Sequence, residues 1–288
     1  MLKHRLITGG LLILFLVLLA WADQCLTGPG GWFPSGLLLM LATCGLVVPL
    51  LSLEVTEVLR RIGSRASGWV TVIGATVLCF TMWLAATPGW EDHRFVAGLP
   101  GLVLAVVLVL GFIDACGGRR TKGVVLEVAG TLYAVLYAGG LMGFWLMLRQ
   151  DVGAWVIMGA VLTVKVADIG AYAVGCSVGR TRLIPWLSPK KTWEGLVGGI
   201  ACATLAGILL ALWSRDLPGG DGGVPLLQGL LFGFLAAWVG LIGDLMASAM
   251  KRDARIKDSS RILPGLGGLI DTLDSLLVAG PLAWWLLG

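Results

Sequence analysis

Three polar clusters hold the side chains able to do chemistry, and each borders an apolar run. The longest reads Gly243-Asp244-Leu245-Met246-Ala247-Ser248-Ala249-Met250-Lys251-Arg252 and continues through Asp253 to Arg261. It then turns at Leu263-Pro264-Gly265-Leu266-Gly267-Gly268 and ends in Leu269-Ile270-Asp271-Thr272-Leu273-Asp274-Ser275. Residues three apart share a helix face, so Asp271 and Asp274 converge, while Asp244 closes the preceding apolar run. Carboxylates gathered at a membrane surface repel one another unless a cation lies between them. The all-oxygen set Asp244, Asp271 and Asp274 suits Mg²⁺, which keeps waters and bridges to phosphate. The Pro-Gly-x-Gly-Gly turn lets backbone approach a ligand closely and presents a helix N-terminus to an anion. Lys251, Arg252, Arg255, Lys257 and Arg261 add positive charge for phosphates. An ordinary basic loop lying on anionic lipid headgroups accounts for these cations, but not for carboxylates flanking a glycine turn.

The second cluster is Ser188-Pro189-Lys190-Lys191-Thr192-Trp193-Glu194-Gly195. Ser followed by Pro predicts an N-cap and a first helical residue, so a span is expected to start there. Two lysines oppose the helix dipole at that place unless an anion joins them; the alternative is a plain cytoplasmic basic flank. In the third, TVKVADIGAYAVG, Lys165, Asp168 and Tyr172 share one helix face. They either line a polar cavity or hold an internal Lys165–Asp168 pair. The three clusters point to a phosphorylated ligand and a metal at a membrane face. Phosphoryl or nucleotidyl transfer needs little beyond positioning and charge neutralisation. No GxxxxGK[ST] loop or strand-borne GxGxxG is present, so the substrate is a lipid phosphate or a nucleotide recognised in another way.

The elements that must position these residues are membrane helices. Of 288 residues, 57% are hydrophobic and 13% charged, against about 25% charged in an ordinary soluble domain. Apolar runs fall near 6–22, 36–53, 69–86, 96–113, 124–147, 153–175, 195–213, 226–247 and 268–287, each near the ~20 residues a bilayer requires. The fold class is therefore all-α: a polytopic transmembrane protein of about nine spans. The first run is read as an uncleaved span rather than a signal peptide. With the N-terminus in the cytoplasm, all 21 lysines and arginines except Arg94, Arg149, Arg215 and the intramembrane Lys165 fall on the inside, as the positive-inside rule expects. Residues 1–150 form an N-terminal multi-span region and 151–288 a C-terminal catalytic one. The six cysteines lack CxxC spacing, and His4 and His93 lie far from the clusters, which argues against a zinc site or a histidine base. A net charge of +4 gives no case for nucleic acid as a partner. A transporter relaying ions through Lys165, Asp168, Asp244 and Asp271 is a rival reading, but it predicts internal repeats and polar groups spread through the membrane depth. Here they crowd one side.

Ser248, Lys251, Arg252, Lys257, Asp258, Pro264, Gly265, Gly267, Gly268, Asp271 and Asp274 stand at the spacing of a known signature. The chain resembles the phosphatidate cytidylyltransferase (CDP-diacylglycerol synthase) family, whose pattern runs Ser-x-x-Lys-Arg, Lys-Asp, Pro-Gly-His-Gly-Gly and Asp-Arg-x-Asp. SPKKTWEG and Asp168-x-Gly170-Ala171-Tyr172 also match family motifs in family order, so the likeness covers roughly 160–288. Leu266 stands where the family has His and Thr272 where it has Arg, which removes an imidazole and a guanidinium as phosphate contacts. A relative acting on another lipid phosphate, or one that binds without turnover, stays open on that ground. The resemblance implies condensation of CTP with phosphatidate to CDP-diacylglycerol and pyrophosphate, within phospholipid biosynthesis at a bacterial plasma membrane. It implies metal binding by Asp244, Asp271 and Asp274, with Asp258 as a further ligand or support. Phosphates would be neutralised by Lys190, Lys191, Lys251 and Arg252. Substrate contacts would come from Ser188, Asp168, Tyr172, Ser248, Lys257 and the Gly265–Gly268 backbone. It also implies a homodimer.

Overall fold

The computed structural model describes residues 2–27, 33–89, 94–117, 121–216, 223–260, 262 and 267–288. Among them nine helices are long and apolar enough to cross a bilayer. They are α1 (Leu2–Thr27), α2 (Leu37–Ile62), α3 (Gly68–Ala86), α4 (Arg94–Gly117), α5 (Val124–Asp151), α6 (Ala154–Val178), α7 (Trp193–Ser214), α8 (Leu226–Asp253) and α9 (Leu269–Leu287). Every expected span is found. Two run well past their expected ends: α2 reaches 62 rather than 53, and α8 reaches 253 rather than 247. Hydropathy falls where Glu54, Glu57, Arg60, Lys251 and Arg252 enter, but their helix propensity does not, so the helices project beyond the apolar layer.

Two helices carry a π turn. In α2 it spans Thr43–Val47, directly before Pro49, whose ring cannot follow an α-helical carbonyl four residues back. In α5 it spans Leu136–Gly140. Gly139 there lies against α3 so closely that a Cβ would meet the Ala75 carbonyl oxygen at 2.2 Å. Small residues set helix spacing elsewhere too, as expected where no hydrophobic force separates helix from lipid. Gly207 and Gly229 bring α7 and α8 together, and Gly170, Gly195 and Gly199 do so for α6 and α7. The helices α6, α7, α8 and α9 pack in sequence. A core of Val48, Leu51 and Val55 from α2, Leu78 from α3, Val135 from α5 and Ile270 and Leu277 from α9 joins the two halves of the chain.

One connection is structured as a hairpin. Strand β1 (Arg182–Ile184) pairs antiparallel with β2 (Ser188–Thr192), with Arg182 opposite Thr192 and Ile184 opposite Ser188. This corrects the expectation that Ser188 caps a helix opened by Pro189. Thr192 is the cap instead: its backbone is extended, and its Oγ1 accepts from the Gly195 N–H at 3.1 Å. Pro189 is tolerated in a two-stranded ribbon because its strand is an edge and needs no donor there. Lys190 and Lys191 are therefore strand residues, not helix N-terminal ones.

At the opposite end of the bundle α1 is fastened by a buried ion pair. Arg149 Nε on α5 lies 2.8 Å from Asp23 Oδ2, and both side chains are almost wholly hidden. Asp23 Oδ1 also accepts from the N–H groups of Leu38 (3.1 Å) and Leu39 (3.4 Å), at the start of α2. Thr27 Oγ1 accepts from Arg149 and from the Gly36 N–H.

Candidate active site

A cavity of about 820 Å³ opens between α6, the hairpin, α7, α8 and α9. Lys165, Asp168 and Tyr172 come from α6; Arg182, Ser188, Lys190 and Lys191 from the hairpin; Asp244 from α8; and Asp271 and Asp274 from α9. The three polar clusters, spread over 110 residues of sequence, thus line one space. The expected sharing of a face by Lys165, Asp168 and Tyr172 holds, as does that of Asp271 with Asp274. Gly243 explains how Asp244 comes so near α9. A Cβ at that position would meet the Asp274 carbonyl oxygen at 2.3 Å, so glycine allows the two helices to touch where both present a carboxylate.

Asp168, Asp244 and Asp271 are paired with cations. Asp244 Oδ2 lies 2.5 Å from Lys191 Nζ, across from hairpin to helix. Asp271 Oδ1 pairs with Lys251 Nζ of α8. Asp271 Oδ2 accepts from the Ser259 N–H at 2.9 Å, Ser259 Oγ at 3.1 Å and the Gly268 N–H at 3.1 Å. Asp274 is buried and accepts from the Ser275 N–H through Oδ1 at 2.7 Å. Asp168 Oδ2 accepts from Ser275 Oγ at 2.9 Å and lies 3.4 Å from Lys165 Nζ. Ser248 Oγ donates to Asp244 Oδ1 at 3.5 Å.

Sequence profile comparison matches residues 3–288 to the cytidylyltransferase family. The chain belongs to that family. Phosphatidate cytidylyltransferases with which it is similar include that of Mycobacterium bovis, 32% identical over 242 residues (79% of this chain, 74% of the relative). Another is from Synechocystis, 30% identical over 284 residues (89% and 88%). A third, from Bacillus subtilis, is 30% identical over 238 residues (82% and 85%).

Within this cytidylyltransferase the signature residues divide by location. Asp168, Tyr172, Ser188, Lys190, Lys191, Asp244, Asp271 and Asp274 face the cavity. Lys251 and Ser248 act on it through Asp271 and Asp244. Arg252, Lys257 and Asp258 are exposed and outside its lining. Gly265, with Pro264 and Leu266, lies outside the described residues. Gly267 adopts φ 96°, where a side chain is strained, and a Cβ would meet Asp271 Oδ2 at 2.7 Å.

A residue unremarked in the sequence holds the start of α9. Glu54, in α2, is buried, and its carboxylate accepts from the N–H groups of Leu269 and Ile270 at 3.0 Å each. Ser259 and Ser260 hydroxyls donate to the same carboxylate. The anion at the N-terminus of α9 is thus the protein's own, and a Cβ on Gly268 would collide with it at 2.5 Å. Glu54→Ala leaves the N–H groups of Leu269 and Ile270 and the Ser260 hydroxyl without their acceptor, while Ser259 Oγ keeps Asp271 Oδ2. It is expected to lower stability by about 1–3 kcal/mol, read as a drop in thermal midpoint in detergent. Glu54→Gln, which keeps an acceptor, is expected to lose less.

The donors fit a hard divalent ion in kind. Asp244 and Asp271 offer only oxygen, face the cavity, and already hold a positive group against themselves. Among the described residues no three acidic, histidine or cysteine side chains form a ready cluster.

Proposed function

We propose that this chain is a phosphatidate cytidylyltransferase of the bacterial plasma membrane that makes CDP-diacylglycerol from CTP and phosphatidate, with Mg²⁺, at the cytoplasmic face. The observation carrying this reading is the meeting of Asp244, Asp271 and Asp274 with Lys190 and Lys191 in one cavity of a chain in the cytidylyltransferase family. The one-sided distribution of lysine and arginine supports the cytoplasmic orientation.

A phosphate oxygen of phosphatidate forms a bond to the α-phosphorus of CTP, and the bond from that phosphorus to the α–β bridging oxygen breaks. Pyrophosphate leaves with the electron pair. The lipid phosphate is already an anion near neutral pH, so no side chain need remove a proton; none of the described lining residues is histidine. Asp244 and Asp271 would hold Mg²⁺, with Asp274 behind them; bound there, the ion neutralises phosphate charge and steadies the leaving group. Lys190 and Lys191 approach from the hairpin to bind triphosphate oxygens, and Ser188 adds a hydroxyl. Lys251 orients Asp271. The apolar helices place the lipid tails in the bilayer while its headgroup enters the polar space.

Purified protein given labelled CTP, phosphatidate and Mg²⁺ is expected to release one pyrophosphate per CDP-lipid formed. Product from another lipid phosphate alone would reassign the substrate, and CTP binding without turnover would make the chain a non-catalytic relative. Lys191→Met is expected to raise KM for CTP about tenfold, the loss of one charge-assisted phosphate contact. An unchanged KM would remove Lys191 from the nucleotide site.

A further inference from the structure

Lys165 is a cation placed inside a membrane span, at an insertion cost of about 2.5–3.5 kcal/mol near the centre of a helix. Its Nζ donates to the carbonyl oxygen of Thr272 at 3.0 Å and to Ser275 Oγ at 2.9 Å, both on α9. The third and longest contact, 3.4 Å, is to Asp168 Oδ2. Thr272 is the position where the family signature has Arg, and its own side chain turns back onto the Gly268 carbonyl at 3.0 Å. A positive group therefore sits one hydrogen bond from the backbone of that residue. It is delivered by a different helix.

Mutual neutralisation of Lys165 and Asp168 does not account for the geometry. A pair kept only to cancel charge in lipid closes tightly and hides. Here the side chains are 32% and 41% exposed and line the cavity beside Asp244 and Asp271. The ammonium is fixed by neutral acceptors on α9, and its loosest bond is the one to an exposed carboxylate, which an incoming phosphate can displace. We propose that Lys165 supplies, from α6, a cationic contact to a substrate phosphate in this cavity, beside position 272, where the signature carries Arg. The proposal rests on the transferase reading above. The phosphate is that of CTP or of the lipid, two sources with the same chemistry at the contact.

The test compares wild type, Lys165→Met, Lys165→Met with Asp168→Asn, and Lys165→Met with Thr272→Arg, all purified in detergent. Steady-state turnover is measured with CTP and phosphatidate varied separately, and labelled CTP binding by equilibrium dialysis. Lys165→Met is expected to lower kcat/KM about 10- to 100-fold, the range for one hydrogen bond to a charged group. A rise in KM for CTP, with weaker CTP binding, identifies the nucleotide phosphate; a rise in KM for phosphatidate alone identifies the lipid's. Thr272→Arg in the Lys165→Met background is expected to recover at least half of the loss on a logarithmic scale, and Asp168→Asn is expected to recover none. Lys165→Met within twofold of wild type overturns the assignment while leaving the transferase reading intact. Full recovery by Asp168→Asn also overturns it, since the pair would then be a charge-cancelling one. Wild-type protein that neither binds CTP nor forms CDP-lipid sinks the transferase reading and this inference together.

Discussion

Asp271→Asn is expected to reduce CDP-lipid formation about 10²- to 10³-fold, the scale seen when one preorganised electrostatic group is removed from an active site. Oδ2 of Asp271 holds three donors, from Ser259 and Gly268, so an asparagine would keep its carbonyl oxygen there. Its amide NH₂ would then face the Lys251 ammonium, where Oδ1 now forms an ion pair. A cation would be left unpaired beside the cavity, and an oxygen donor would be lost from the position where Mg²⁺ is proposed to bind. Fold loss is separable from site loss: the thermal midpoint reports the first, and the dependence of rate on Mg²⁺ concentration reports the second. Activity close to wild type would remove Asp271 from the reacting centre and leave it as an anchor for Ser259, Gly268 and Lys251.

The second large effect is on stability and lies at the other end of the molecule. Arg149→Met is expected to cost about 3–5 kcal/mol, because it strands the buried Asp23 carboxylate without its partner. The double change Arg149→Met with Asp23→Leu is expected to regain most of this, since removing both charges leaves neither uncompensated. Recovery would be incomplete, because Asp23 also accepts from the N–H groups of Leu38 and Leu39. Thermal unfolding in detergent measures the loss. The KM values of protein that stays folded are expected not to move, because the pair sits at the far end from the cavity. Equal midpoints for single and double variants would show that Asp23 finds another partner.

The nine spans were legible because each apolar run comes near the ~20 residues a bilayer requires, and no soluble alternative could hide so much of it. The grouping of Asp168, Lys191, Asp244, Asp271 and Asp274 was legible from their placement on one side of those spans. Three features were not. Ser188-Pro189 looks like a helix start by local preference, but pairing with Arg182–Ile184 is a tertiary fact that local preference cannot report. The helix start after the glycine turn was read as open to an anion, and Glu54 occupies the N–H groups of Leu269 and Ile270 there. Glu54 gave no warning, because it stands directly after the apolar run 36–53, where an acid is ordinarily solvated. Its partners at the start of α9 lie more than 200 residues away in sequence, a separation no local pattern spans. Asp23 and Arg149 escaped notice because each falls at the edge of a span, where a charge is ordinarily solvated.

The lining of the cavity carries Lys165, Arg182, Lys190 and Lys191 against Asp168, Asp244, Asp271 and Asp274, an even balance of sign. Such a surface behaves like an ion-exchange resin in its salt form. It exerts little long-range pull on a polyanion, so occupancy depends on what the newcomer brings to trade: phosphate oxygens for the lysines, and a counter-cation for the aspartates. An anion arriving without a cation would satisfy half of the contacts and orphan the rest. If the site takes CTP and Mg²⁺ as proposed, the resting protein would admit them as a matched pair, before any bond is made or broken.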